Sequence, residues 1–324
     1  FGYNGDGELG DGTTTQRQTP VQTSGMSGAT QVAGAETHSL ALKNDGTVWA
    51  WGWNGNGQLG DGTNNQHLTP NQVPNFGGVT AIAAGGWHSL ALKSDGTVWA
   101  WGLNTDGEVG DGTTTDRSSP VQVVGLSNMT AIAAGRYDSM ALKADGTVWM
   151  WGYNGNGQLG DGTTTSRSTP VQVSGLGGVA AIAAGEWHSL AAKQDGTVWA
   201  WGYNGNGELG DGTTTQRQTP VQSQGMAGAT AVGSGTTHSV AVKNDGSVWA
   251  WGYNGDGELG DGTTTNHLTP EQNGGSSGMA GITLDATGAW HTLATAGPGA
   301  VVTSYGYDRL YELTSVLAPG LQNG

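Results

Sequence analysis

His38, His88, His188 and His238 stand whole multiples of 50 residues apart, Asp138 fills the skipped step, and His291 follows near the end. Imidazoles at regular intervals are the raw material of metal sites and proton shuttles. In the first four the next residue is Ser, so each step also carries the two side chains of a nucleophile and its base. Both readings fail on geometry. Adjacent residues of a strand point to opposite faces, so His88 and Ser89 cannot pair with each other. One imidazole per repeat around a common axis leaves neighbours too far apart for the ~2 Å bonds that zinc makes. The histidines are expected to be structural, each bonding a neighbouring backbone carbonyl, and no catalytic residue is assigned.

A second constellation is NGDGELGDG, where Asn4, Asp6, Glu8 and Asp11 alternate oxygen side chains with glycine as hard-cation loops do. The equivalent positions of two later repeats, Asn54/Asn56/Gln58/Asp61 and Asn154/Asn156/Gln158/Asp161, carry one carboxylate each. A calcium loop needs more charge than that, so no metal and no cofactor is assigned. The GDGTTT run lacks the Gly-Lys-Thr of a phosphate loop.

These residues sit on one recurring stretch. HSLALKSDGTVWAWG, from His88 to Gly102, returns as HSLALKNDGTVWAWG from His38, DSMALKADGTVWMWG from Asp138, HSLAAKQDGTVWAWG from His188 and HSVAVKNDGSVWAWG from His238, with a degraded copy from His291. His88, Leu90 and Leu92 alternate with Ser89, Ala91 and Lys93, which is the period of a strand. Asp95-Gly96 supplies turn chemistry, and Trp99 and Trp101 share one face of the return strand. A buried Trp removes ~200 Å² from water, worth up to ~5 kcal/mol. The paired tryptophans are therefore expected to glue neighbouring sheets together. In the second unit the four strand-like pieces are Asn71–Val73, Thr80–Ala83, His88–Lys93 and Thr97–Trp101.

Composition narrows the function. The net charge is −15, and the only basic residues are five Lys, one per hairpin, and Arg17, Arg117, Arg136, Arg167, Arg217 and Arg309. No basic stripe exists to neutralise phosphates, so neither nucleic acid nor an anionic membrane is an expected partner. Cysteine is absent. A Cys-free, acidic, Thr/Asn/Gly-rich repeat protein suits a secreted or surface-exposed bacterial setting. The chain opens at Phe1 in mid-repeat, as a processed or excised segment would.

The pattern GG-x-x-HSLALK-x-DG-x-VWAWG-x-N-x-x-G-Q-L-G-D-G-T with a following Pro resembles the regulator of chromosome condensation repeat, a β-propeller family. The resemblance spans about residues 1 to 304 and implies an all-β, six-bladed β-propeller built from 50-residue repeats, with four short antiparallel strands per blade; a truncated seven-blade ring is the competing count. Phe1-Gly2-Tyr3 and Tyr305-Gly306-Tyr307 carry the same segment at the two ends, and Phe1 to Asn4 is expected to share a sheet with residues near Thr292 to Tyr305. The remainder, 305–324, is assigned as a ring-closing strand and tail. YGYDRLYELTSV from Tyr305 resembles a YD repeat of large bacterial surface and toxin-delivery shells, with Tyr311-Glu312 in place of a Gly-Arg pair common there.

Strand parity puts the loops at 85–87 and 103–119 on one face, and the turn at 94–96 and the loop at 124–129 on the other. The hairpins barely change from repeat to repeat, but the short loop reads Glu36-Thr37, Gly86-Trp87, Arg136-Tyr137, Glu186-Trp187, Thr236-Thr237 and Ala289-Trp290. Such variation is either free drift at exposed loops or a binding face rich in aromatic and Arg anchors. On the second reading Trp87, Arg136, Tyr137, Glu186, Trp187 and Trp290 contact a partner. The expected function is a monomeric, non-enzymatic module that binds another protein. The alternatives are a carbohydrate-binding module or enzyme at the channel mouth, and a spacer in a secreted surface protein.

Overall fold

The computed structural model describes residues 1–273, 282–287 and 292–296. It is all-β in these residues, with five four-stranded antiparallel sheets and one two-stranded sheet. The first sheet runs β1 (Ala29–Gly34), β2 (His38–Lys43), β3 (Val48–Gly52) and β4 (His67–Gln72) in that order. The second repeats it as β5 (Val79–Ala84), β6 (His88–Lys93), β7 (Val98–Gly102) and β8 (Arg117–Gln122). The third comprises β9 (Met129–Ala134), β10 (Asp138–Lys143), β11 (Val148–Gly152) and β12 (Arg167–Gln172). The fourth comprises β13 (Val179–Ala184), β14 (His188–Lys193), β15 (Val198–Gly202) and β16 (Arg217–Gln222). The fifth comprises β17 (Ala229–Ser234), β18 (His238–Lys243), β19 (Val248–Gly252) and β20 (His267–Gln272), and β21 (Ile282–Thr287) pairs with β22 (Thr292–Ala296). Two compact units contain them: Phe1–Gly155 with Thr163–Val173, and Asn156–Gly162 with Ser174–Gly324.

The hairpin falls where the sequence puts it, but the sheet boundary does not. Asn71 and Gln72 belong to β4, which closes the first sheet: Trp49 pairs with Gln72 and Ala50 with Asn71. The long loop after β3 brings the chain back antiparallel to it, so the fourth strand of each sheet follows the hairpin instead of preceding it. The register breaks between Ala50 and Gly52. Pro70, inside β4, lies in that break on an edge strand, where proline's missing N–H does least harm.

The turn explains the DGT triplet. Gly96 adopts φ 77° and donates its N–H to the Lys93 carbonyl at 2.9 Å. Asp95 Oδ1 accepts from the Thr97 N–H at 3.0 Å and from its hydroxyl at 2.6 Å. The Thr97 hydroxyl then accepts from Trp99 Nε1 at 3.1 Å. Across the hairpin Trp101 faces Ser89 and Trp99 faces Ala91, small residues that leave room for the rings.

Within each unit the core lies between consecutive sheets. Leu40, Leu42, Val48 and Ala50 of the first sheet pack with Val79, Ile82, Ala91 and Trp101 of the second. Within the other unit Leu190, Val198 and Ala200 meet Ala229, Val232, Ala241 and Trp251. The two tryptophans of a hairpin divide their work. Trp101 is fully buried and donates Nε1 to the Gln58 carbonyl at 2.8 Å, whereas Trp99 stays half-buried under the Lys93 ammonium at 4.4 Å. Both tryptophans pack against the core between the sheets as expected, the second fully buried in it and the first half-buried at its margin, where Trp99 meets Phe76 edge-on.

At the chain's start, Gly2 bridges Arg17 as Gly52 bridges His67. Residues 297–305, which the expected end-to-end pairing needs, lie outside the described residues, as does 305–324.

Candidate functional site

The histidines do find serine hydroxyls, one repeat further on. His38 Nε2 lies 2.8 Å from Ser89 Oγ, His88 Nε2 2.9 Å from Ser139 Oγ, and His188 Nε2 2.9 Å from Ser239 Oγ. This corrects the expected carbonyl partner, because the ring reaches past the backbone to the side chain facing it. The proton arrangement rules out a catalytic dyad. Ser139 donates its one hydroxyl hydrogen to the Glu108 carbonyl at 2.8 Å, so His88 Nε2 must carry the hydrogen between ring and hydroxyl. Such a histidine cannot take a proton from that serine. All these groups are fully buried, and desolvation holds His38 and His188 down to about 3 and His88 to about 4. His38 and His188 are lowered further by the charge of the next histidine.

The same carbonyls receive a second donor. Glu8 O accepts from Ser39 Oγ at 2.8 Å and Trp51 Nε1 at 2.7 Å, and Glu208 O from Ser239 Oγ at 2.7 Å and Trp251 Nε1 at 2.8 Å. The sequence reading missed this knot, although Ser and Trp at fixed offsets were its signal.

The acidic loop is folded on itself. Asn4 Nδ2 donates to the Thr13 and Thr15 carbonyls at 3.0 and 3.1 Å, while its Oδ1 accepts from Leu9 N–H at 2.9 Å. Asp11 takes the Thr13 hydroxyl on Oδ1 at 2.7 Å and Arg17 Nη2 on Oδ2 at 2.8 Å, and these bonds hold it down to about 2. Arg117 and Arg217 pair likewise with Asp111 and Asp211, and His67 and His267 with Asp61 and Asp261 at 2.7 Å. The variable middle position of the long loop is thus a structural pin. No group of three or more His, Asp or Glu that could hold a metal gathers among the described residues.

Asp138 is the exception among the histidines. It is 1% exposed, and neither carboxylate oxygen has a hydrogen-bond partner. Burial, then the charge of Glu108, raises it well above the usual carboxylate range. Glu108, itself fully buried, is pushed up to about 7, chiefly by desolvation.

The short loops form the remaining site. Leu103 N–H bonds the Trp87 carbonyl at 2.9 Å, so short and long loops do share one face, while Met129 N–H bonds Gly96 O at 3.0 Å on the other. Trp87 and Tyr137, both half-buried, stack with centroids 5.1 Å apart and 31° between planes. The Arg136 guanidinium lies 5.0 Å from the Trp87 ring and 5.5 Å from the Tyr137 ring. Its Nη2 reaches Glu36 Oε1 at 3.1 Å, across 100 residues of sequence. Tyr153 adds a third ring, 6.3 Å from Tyr137. The backbone is tied too: Gly86 N–H donates to the Arg136 carbonyl at 3.1 Å, and a Cβ on Gly86 would stand 2.9 Å from that oxygen. Glu36 and Tyr153 were absent from the expected contact residues. Glu186 and Trp187 lie half-buried in the other unit, and Trp290 falls outside the described residues.

Comparison with known proteins agrees with this repeat. The family described as "Regulator of chromosome condensation (RCC1) repeat" matches residues 1–42, 45–92, 95–142, 145–192, 195–242 and 245–295. No curated protein matches in sequence. Among solved structures, yeast RCC1 (Prp20) with Kap60 bound is similar at a TM-score of 0.82 and 24% identity, over 95% of this chain and 78% of that one. Human WBSCR16 gives 0.72 and 25%, over 83% and 72%. Prp20p from Saccharomyces cerevisiae, described with its binding properties to Gsp1p and histones, gives 0.59 and 22%, over 93% and 91%.

Proposed function

The chain belongs to the regulator of chromosome condensation repeat family, and from that premise we propose that it is a non-enzymatic module that captures a partner protein on its short-loop face. The observation that carries this reading is the cluster of Trp87, Arg136 and Tyr137, aromatic rings and a guanidinium held together by backbone bonds at the tips of the sheets. Side chains of these types, fixed before binding, are the ones that dominate interface energies. Two similar structures, both of Prp20, carry descriptions that name protein partners, which supports the class of function without naming the partner here. Glu186, Trp187 and Trp290 are proposed as further partner-contacting residues.

The test is capture from lysate followed by substitution. Trp87→Ala with Tyr137→Ala should leave the fold intact, since the core rests on Trp101 and its equivalents. Binding of the recovered partner should fall by ~2 kcal/mol or more per true anchor, non-additively. Lys143→Gln on the opposite face is the control and should change nothing. A sugar-binding reading has less support, because Arg136 and Tyr137 already lie against the Trp87 ring that a sugar would stack on. Glycan-array binding that depends on Trp87 would replace the protein-partner reading.

We also propose a monomer, to be checked by light scattering. The acidic, Cys-free composition supports a secreted or cell-surface bacterial location, which fractionation of the source cells would test.

A further inference from the structure

We propose that the Trp87–Tyr137 cluster is a receptor for a basic side chain of the partner, and that Arg136 is a place-holder occupying it until that side chain arrives. The inference rests on the reading of this face as a binding face and adds the chemistry of what it takes.

Three observations converge. The guanidinium of Arg136 sits at cation–π distance from two ring faces, 5.0 and 5.5 Å from their centroids, and pairs with Glu36 at 3.1 Å. Two aromatic faces and a carboxylate are the complete contact set by which a protein binds a foreign Arg or Lys. The contact is also open to exchange. The Arg136 and Glu36 side chains are 29% and 47% exposed, so a competing cation can reach the carboxylate without unfolding anything. Finally, the whole chain carries −15, a field that draws basic partners and repels acidic ones. A partner carboxylate could in principle take Arg136 away from Glu36. It would have to approach against that field and past Glu36 itself.

The two occupants predict opposite signs for one substitution. Fluorescence anisotropy at physiological salt would use a labelled Arg-Gly repeat peptide and a Glu-Gly peptide of the same length, against the full chain. Arg136→Gln empties the receptor, so the Arg-Gly peptide should bind about tenfold tighter. Glu36→Gln and Trp87→Ala should each weaken it by a similar factor. If Arg136→Gln lowers stability, Arg136→Lys serves in its place, since its looser stacking on the rings should still tighten Arg-Gly binding.

The proposal is overturned if Arg136→Gln weakens Arg-Gly binding, or if the wild-type chain prefers the Glu-Gly peptide and loses it in that variant. It is equally overturned if Arg-Gly binding is the same in all variants, which would be attraction to an acidic surface and nothing more. These results are separable from failure of the binding-face reading. That reading falls if Trp87→Ala with Tyr137→Ala leaves capture of the partner protein unchanged.

Discussion

Trp101 Nε1 and the carbonyl of Gln58, 43 residues apart in sequence, meet at 2.8 Å inside the junction between two successive sheets. Ser89 Oγ reaches the same oxygen at 2.8 Å. One acceptor with two donors from the next repeat makes the tryptophan both a hydrophobic plug and a positioned hydrogen-bond donor.

Trp101→Phe keeps most of the buried ring and loses the bond, while Ser89 still satisfies the carbonyl. It should cost about 1 kcal/mol, against ~3–5 kcal/mol for Trp101→Ala. Denaturant unfolding of the two variants would separate the parts. No loss in Trp101→Phe would mean that the indole N–H is idle, and a loss equal to that of Trp101→Ala would mean that the ring is.

Acid should weaken the protein well above the range of its carboxylates. His38, His88 and His188 are neutral in the fold down to about 3 to 4, while in the unfolded chain they protonate near 6.5. The unfolded state thus binds more protons between these limits, and stability falls as pH drops from about 6.5 toward 4. Below that the depressed aspartates, Asp11 and Asp261 at about 2, add their own loss as pH passes from ~4 downward. Melting temperature against pH should show both stages, and Ser139→Ala should lower it by leaving the His88 N–H unsatisfied.

Glu108 and Asp138 act with the opposite sign. Both are raised by burial, so the folded state holds protons that the unfolded state has released, and stability falls as pH rises from ~4 through 7. Asp138→Asn removes one of these burdens. It should raise the melting temperature at pH 8 and leave it nearly unchanged at pH 4. A variant less stable than the parent at pH 8 would mean that the Asp138 carboxylate has a function its surroundings do not reveal.

Calcium should be dispensable. The oxygens of Asn4 and Asp11 are engaged by Leu9, Thr13 and Arg17, and binding a cation would require breaking those bonds. Chelator should leave the melting temperature within a degree or two, whereas Arg217→Ala should lower it by freeing Asp211. A calcium-dependent rise in the wild type would show that the loop opens to bind.

The hairpins were legible because period-two alternation and the Asp-Gly turn are local signals, and local physics decides them. The fourth strand was assigned to the wrong sheet because its pairing depends on a long loop whose path is set by Asn54 and Asp61 side chains bonded to their own backbone. The loop face was readable as variable but not as assembled. Nothing in the spacing of Glu36 and Arg136 announces an ion pair across 100 residues. That contact exists only because stacking repeats brings these two short loops, two repeats apart, within a side chain's reach.

Because these junctions are closed by donors at a constant distance along the chain from a backbone acceptor, the same bonds form whichever side chain stands at the acceptor position, Glu8 or Gln58. Exchanging or duplicating one whole repeat by recombination would regenerate the same junction at both cuts. The residues that would travel with the exchanged segment are those of the short loop. Such a gene can reshuffle its recognition surface without renegotiating its core, and a library made by permuting repeats should yield folded proteins with different specificities.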